Sequence, residues 1–208
     1  MRNIFMAAGF AAALACGPAA AGTIVDEWAS VKAPPAPELK SVTLDPKTTA
    51  FLALDFLKQN CSEQRRPRCV ESLPAVLKAM DAARAKGVLV VHSIFPGAKS
   101  EDAHPGFAPK PGEPEVKAPA DKFLGSDLEK ILKDKGIQTV IVTGTAAHGA
   151  ALYTASEAVY RGFKVVAPVD GIPAENLYFE QYVAVQLQNL PGGAPGAVTL
   201  TRLDMIHY

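Results

Sequence analysis

Five short aliphatic runs punctuate the chain: TTAFLALD at 48–55, VLVVHS at 88–93, TVIVTG at 139–144, KVVAPVD at 164–170 and AVTLT at 197–201. Each is nearly continuous rather than alternating, which is the pattern of a strand buried on both faces. Between them the spacing changes to that of a helix. Val70, Leu73, Leu77, Met80 and Ala83 recur at helical intervals across 70–86, with Pro74 in the first turn and Gly87 as the stop. SDLEKILKDKG opens with Ser126 and Glu129 in capping-box register and ends at Gly136. Helices are further predicted over 147–161, stopped by Gly162, and over 174–190. The segment 95–120 carries six prolines and reads as a long irregular loop, of the kind that is usually functional or mobile.

Strands that alternate with helices predict an α/β fold, a three-layer doubly wound parallel β-sheet with helices on both faces. Ligands of such sheets bind beyond the carboxyl ends of the strands. Asp55 closes the first strand, and the turn Gly144-Thr145-Ala146-Ala147-His148-Gly149-Ala150 closes the third. The candidate site is therefore expected between them.

The first 46 residues break this pattern. Arg2 precedes an apolar run, Ile4 to Ala15, that is too short to span a bilayer, and Ala19-Ala20-Ala21 fits an A-x-A cleavage site. Residues 1–21 read as a secretory signal, which predicts a periplasmic or secreted protein without a stable membrane anchor. A lipoprotein signal ending at Cys16 is the rival, disfavoured by Ala13 where a larger aliphatic residue is usual. Residues 22–46 read as an extended, Pro-rich lead-in, and 47–208 as the folded domain.

Lys+Arg and Asp+Glu balance at 21 each over 208 residues, which gives no electrostatic reason to expect a nucleic-acid partner. Removal of the signal would leave only Cys61 and Cys69, eight positions apart around SEQRRPR. In an exported chain they are expected to pair as a disulfide; a reactive Cys61 near the site is the alternative.

Taken singly, the candidate residues are ambiguous. Asp55 suits a general acid or base, but also a carboxylate capping a nearby turn. Lys122 precedes a helix, where most lysines are solvated. The small residues at 144–150 would let an anion approach the N–H groups of a helix start, but they equally suit close strand–helix packing. His148 could donate to a ligand, cap the helix or face solvent.

Together they resemble a known family. An acid after the first strand, K-F before a helix, and T-G-x-x-[AT]-x-x-[small]-x-x-x-T-A-x-[DE]-A look like the isochorismatase-like hydrolase superfamily, over about residues 48–205. The resemblance implies a small-molecule substrate, no cofactor, and a catalytic role for Asp55 and Lys122. Self-association into a homo-oligomer is left open. Most members have a nucleophilic cysteine where this chain has Ala150, and attack amides through a thioester. The resemblance also implies that Ala146, Ala147, His148 and Gly149 contact substrate, and that a non-proline cis peptide falls at Ala146–Ala147. Metal ligands of the nicotinamidase type are absent, because their place reads HSIFPG, so no metal is expected. Isochorismatases proper also lack the cysteine and show an A-H pair like Ala147-His148. They hydrolyse a vinyl ether, which needs an acid and water but no attacking side chain.

Three readings follow. The first is an exported hydrolase of a small carboxylate- or amide-type metabolite that uses Asp55 and Lys122 without a cysteine. The others are a non-catalytic binding protein with the same fold, and a Cys-to-Ala variant of an amide hydrolase.

Overall fold

The computed structural model describes residues 22–208; the expected signal, 1–21, lies outside the described residues. The chain divides into two units, residues 1–35 and 36–208. In the described part of the first, Thr23 and Asp26 cap a single helical turn, α1 (Ile24–Glu27), and a 3₁₀ turn (Trp28–Ser30) follows. The lead-in is thus not extended throughout.

The second unit is built on six parallel strands: β2 (Thr49–Leu54), β3 (Leu89–Ile94), β4 (Glu115–Lys117), β5 (Thr139–Gly144), β6 (Lys164–Pro168) and β7 (Val198–Thr201). Their order across the sheet is β4-β3-β2-β5-β6-β7. A separate pair, β1 (Val42–Thr43) and β8 (Ile206–His207), joins the two ends of the domain in parallel.

Successive side chains of each strand serve opposite faces. Ala50, Leu52 and Leu54 of β2 pack with Leu128 and Leu132 of α3 (Leu128–Asp134), Ala155 and Ala158 of α4 (Leu152–Tyr160), and Val183 and Leu187 of α5 (Leu177–Gln188). Phe51 and Ala53 face the other way, onto Cys69, Val76, Met80 and Ala83 of α2 (Pro67–Ala85). Both faces are covered, so the doubly wound parallel architecture expected from the sequence is present. Strand order reverses between β2 and β5, and their carboxyl ends form the topological switch point. Gly144 makes their close approach there possible: its φ is +141°, and a Cβ would lie 2.4 Å from the Leu54 carbonyl oxygen.

Several boundaries differ from the sequence reading. Helix α2 starts at Pro67, which takes the first-turn position that suits proline, so Pro74 lies inside the helix. The irregular segment 95–120 contributes an edge strand, β4, too short to show periodicity. The Ser126–Glu129 capping box does not form. Ser126 Oγ accepts from Leu128 N–H and donates to the Lys122 carbonyl, while Glu129 is drawn to Lys133 and Arg161. Helix α4 is preceded by a π turn over Ala147–Ala151, and α5 begins at Leu177, capped by Asn176. Among the described residues no helix is long and apolar enough to cross a membrane.

Candidate active site

The switch point assembles the site from three parts of the chain. Asp55 leaves β2 in the left-handed region, at φ 54°, which an aspartate tolerates better than a bulkier side chain. Its carboxylate accepts from Lys122 Nζ at 2.7 Å through Oδ2 and from Ser93 Oγ at 2.8 Å through Oδ1. Lys122 is wholly buried, and its ammonium also donates to the Ala118 carbonyl at 3.1 Å. The segment holding it is pinned by Thr154 of α4, whose Oγ1 accepts from Lys122 N–H and donates to the Ala120 carbonyl.

Burial is the largest influence on both charges, and it opposes charge on each. It pushes the Asp55 carboxyl up, against the pull of Lys122, Ser93 and Arg66. It pushes the Lys122 ammonium down, against the Asp55 carboxylate. The neutral forms of both groups are thereby brought closer, which is the condition for passing a proton between them.

Beside this pair lies a cavity of about 330 Å³, walled by Asp55, Phe95, Thr145, His148 and Ala150 and edged by Arg65 and Arg66. The structure brings together Asp55, Ala146, His148, Gly149 and Ala150 on that wall, with Lys122 behind Asp55; Ala147 is buried and packs into the core. A larger, more apolar groove of about 610 Å³ runs along α5. Its one charged residue, Glu180, is held by Arg68 in a two-pronged pair, so it offers no free acid or base.

The turn after β5 differs from expectation in two ways. Its cis peptide is Thr145–Ala146, one position before Ala146–Ala147. Its N–H groups are also less available. Ala147 N–H donates to the Pro173 carbonyl and Gly149 N–H to the Ala146 carbonyl, each at 3.0 Å. His148 stacks on Phe179 with ring centres 4.0 Å apart. Its Nδ1 stands 3.7 Å from Glu175 Oε2, and both atoms are buried without a hydrogen bond.

Cys61 and Cys69 form the expected disulfide, with Cα atoms 5.3 Å apart. The loop they close carries Arg65 and Arg66, neither of which the local sequence pattern singles out. Arg66 is buried and binds Glu175 through Nε at 2.8 Å and Nη2 at 2.6 Å, while its Nη1 donates to the Asn60 carbonyl. Arg65 donates to Asn60 Oδ1 at 3.2 Å. Nor does that local pattern single out Ser93 or Glu175. Two arginines inside a cysteine-closed loop are the one signal that could have flagged any of them. Among the described residues, no group of three or more His, Cys, Asp or Glu is placed to hold a metal. His92 of the HSIFPG stretch is instead engaged by Glu113 at 2.8 Å.

The chain matches the isochorismatase domain over residues 49–201. It is 30% identical to an N-carbamoylsarcosine amidase from Arthrobacter sp, over 51% of this chain and 53% of the amidase, so it spans about half the length of that curated relative. Among solved structures it resembles an isochorismatase-like hydrolase from Alkaliphilus metalliredigens (23% identity, 76% of this chain and 95% of the other, TM-score 0.68). It also resembles an N-carbamoylsarcosine amidase from Thermoplasma acidophilum (19%, 76% and 97%, TM-score 0.64) and a cysteine hydrolase from Pseudomonas syringae (18%, 81% and 95%, TM-score 0.68). At these identities the structures speak to the fold, and the domain match to the family: the chain belongs to the isochorismatase-like hydrolase family.

Proposed function

We propose that this chain is an exported hydrolase of a small carboxylate- or amide-type metabolite, in which Asp55 and Lys122 move the proton and water is the attacking group. The observation that carries the reading is the buried Asp55–Lys122 pair on the wall of a cavity where Ala150 presents only a methyl group. Ala150 stands where the turn motif has the cysteine of thioester-forming relatives, and a methyl group cannot attack a carbonyl. The other candidates are engaged elsewhere: Thr145 Oγ1 donates to the Pro173 carbonyl, Ser93 is buried behind the wall with its Oγ donating to Asp55, and Cys61 and Cys69 are buried in their disulfide.

What remains is acid–base chemistry. With a vinyl ether, protonated Asp55 gives its proton to the enol carbon, and the double-bond electrons form the new C–H bond. Water adds to the resulting oxocarbenium carbon and returns a proton to the Asp55 carboxylate. The hemiketal then collapses to a carbonyl compound and an alcohol. Lys122 stabilises the carboxylate between the two transfers. The amide class is supported by the relatedness to an N-carbamoylsarcosine amidase. Export rests on Arg2, the apolar run and the A-x-A site, and it disfavours isochorismate, a cytoplasmic metabolite, as the substrate.

The test is turnover of vinyl ethers and small amides by the mature chain, alongside two variants. Asp55→Asn should lower turnover by about 10²–10⁴-fold, because its amide cannot shuttle a proton. Ala150→Cys supplies the absent nucleophile. Its thiolate should attack a small amide, expel the amine and leave a thioester visible as a mass adduct. Ligand binding without turnover by either the natural chain or Ala150→Cys would replace the enzyme with a binding protein.

A further inference from the structure

The charges that edge the cavity do not cancel. Lys122 is matched by Asp55, and Arg66 by Glu175. Arg65 is the remaining charged side chain on the wall, and its one hydrogen-bond partner is the neutral Asn60 amide. Among the described residues no carboxylate forms a salt bridge with it. The loop that presents it is nevertheless held in place. Cys61, whose N–H donates to the Leu57 carbonyl at 2.8 Å, and Cys69, in the first turn of α2, close the loop through their disulfide. The neighbouring Arg66 is buried and bound to both Glu175 and the Asn60 carbonyl. The loop backbone is therefore already ordered when Arg65 takes up a ligand, and only the side chain remains to be fixed. Anion binding at the turn is meanwhile weakened, because the Ala147 and Gly149 N–H groups already have acceptors.

We propose that Arg65, presented by the Cys61–Cys69 loop, selects ligands carrying a carboxylate over neutral ligands of the same shape. The inference rests on the cavity of the proposed hydrolase but not on turnover: it states which small molecules enter. A guanidinium matches a carboxylate with two parallel N–H donors, so the preference depends on its fork as well as its charge.

Matched pairs of small molecules test this on the mature chain: benzoate against benzamide, and succinamate against succinamide. Binding is followed through the amide chemical shifts of Gly149 and Ala150, with salt held constant. The carboxylate member should bind about tenfold more tightly or better, as expected for one charge-assisted contact. Arg65→Gln should bring the ratio close to one, and Arg65→Lys should keep part of it. Because Arg65 is exposed, both variants should melt near the parent temperature. A natural chain without carboxylate preference, or an Arg65→Gln chain with the ratio unchanged, overturns the proposal. A chain that shows the preference but hydrolyses nothing removes the hydrolase reading and leaves this one standing. Hydrolysis of neutral amides that is untouched by Arg65→Gln, with no preference in binding, does the reverse.

Discussion

Removing one partner of the Asp55–Lys122 pair should destabilise the protein asymmetrically. At 2.7 Å the two charges attract by about 6 kcal/mol at an effective dielectric of about 20, an attraction that burial of both groups largely cancels. The net value of the pair is therefore small, and the cost lies in what a single substitution leaves behind. Asp55→Asn leaves an ammonium with no exposed side-chain surface and no opposing charge, with only neutral acceptors, the Ala118 carbonyl and the new amide oxygen, to hold it. Breaking a buried pair in this way costs about 3–5 kcal/mol. Lys122→Met leaves a carboxyl that borders the cavity, keeps Ser93 Oγ as a donor, and is already pushed towards its neutral form by burial. It escapes by taking up a proton, so its cost should be lower, about 2 kcal/mol. The double variant strands nothing and should return to within about 1–2 kcal/mol of the parent. Urea unfolding at pH 7, extrapolated linearly, measures all four proteins. Burial already holds Lys122 below its ordinary 10.5 in the parent, and loss of the opposing Asp55 charge should lower it further in Asp55→Asn. In that variant the unfolded state then binds more protons than the native state as pH rises towards 10.5. Its deficit should then shrink between pH 7 and pH 10. A cost below about 1 kcal/mol for Asp55→Asn, or a double variant as unstable as the sum of the two, would refute the reasoning.

Three further outcomes are expected. Gly144→Ala should cost about 3 kcal/mol or more or prevent folding, because its methyl would meet the Leu54 backbone at a positive φ; a chain that melts normally argues against close approach at the switch point. Burial raises the Glu113 carboxyl, but Arg84, the Lys110 N–H and His92 outweigh it and hold the group at about 2. With a native value below the ordinary 4.5, its contribution of about 1–2 kcal/mol should be present above pH 4.5 and fade as pH falls towards 2, and Glu113→Gln should flatten that part of the acid-unfolding curve. Reducing the Cys61–Cys69 bridge should lower stability by about 2–3 kcal/mol for so short a loop, seen as a shift of the urea midpoint with and without reductant.

How far the sequence reached depended on the range of the interaction. The five aliphatic runs were legible because a strand buried on both faces must be apolar along its length, and burial of that run hardly depends on its neighbours. Their alternation with helical spacing was enough to imply a parallel sheet, and the glycine-rich turn after TVIVTG forms one wall of the cavity at the switch point. The cysteine pair was legible too, since eight positions of separation leave little choice of partner. Local rules failed wherever a distant group competed for the same atoms. Ser126 turned to the Lys122 carbonyl and Glu129 to Arg161, so the capping box was lost. Pro173, from beyond β6, took the Ala147 N–H that the helix start was expected to leave free. Residues 115–117 became a strand only because β3 offered an open edge. The charge pattern of the cavity was decided in the same way. Arg65 and Arg66 are adjacent in sequence, but Arg66 meets Glu175 across 109 positions and is neutralised, while Arg65 is left to face the cavity. Hydrophobic burial is written into each segment by its own composition. Pairing of charges and of backbone donors is a property of which segments meet, and only the folded chain brings them together.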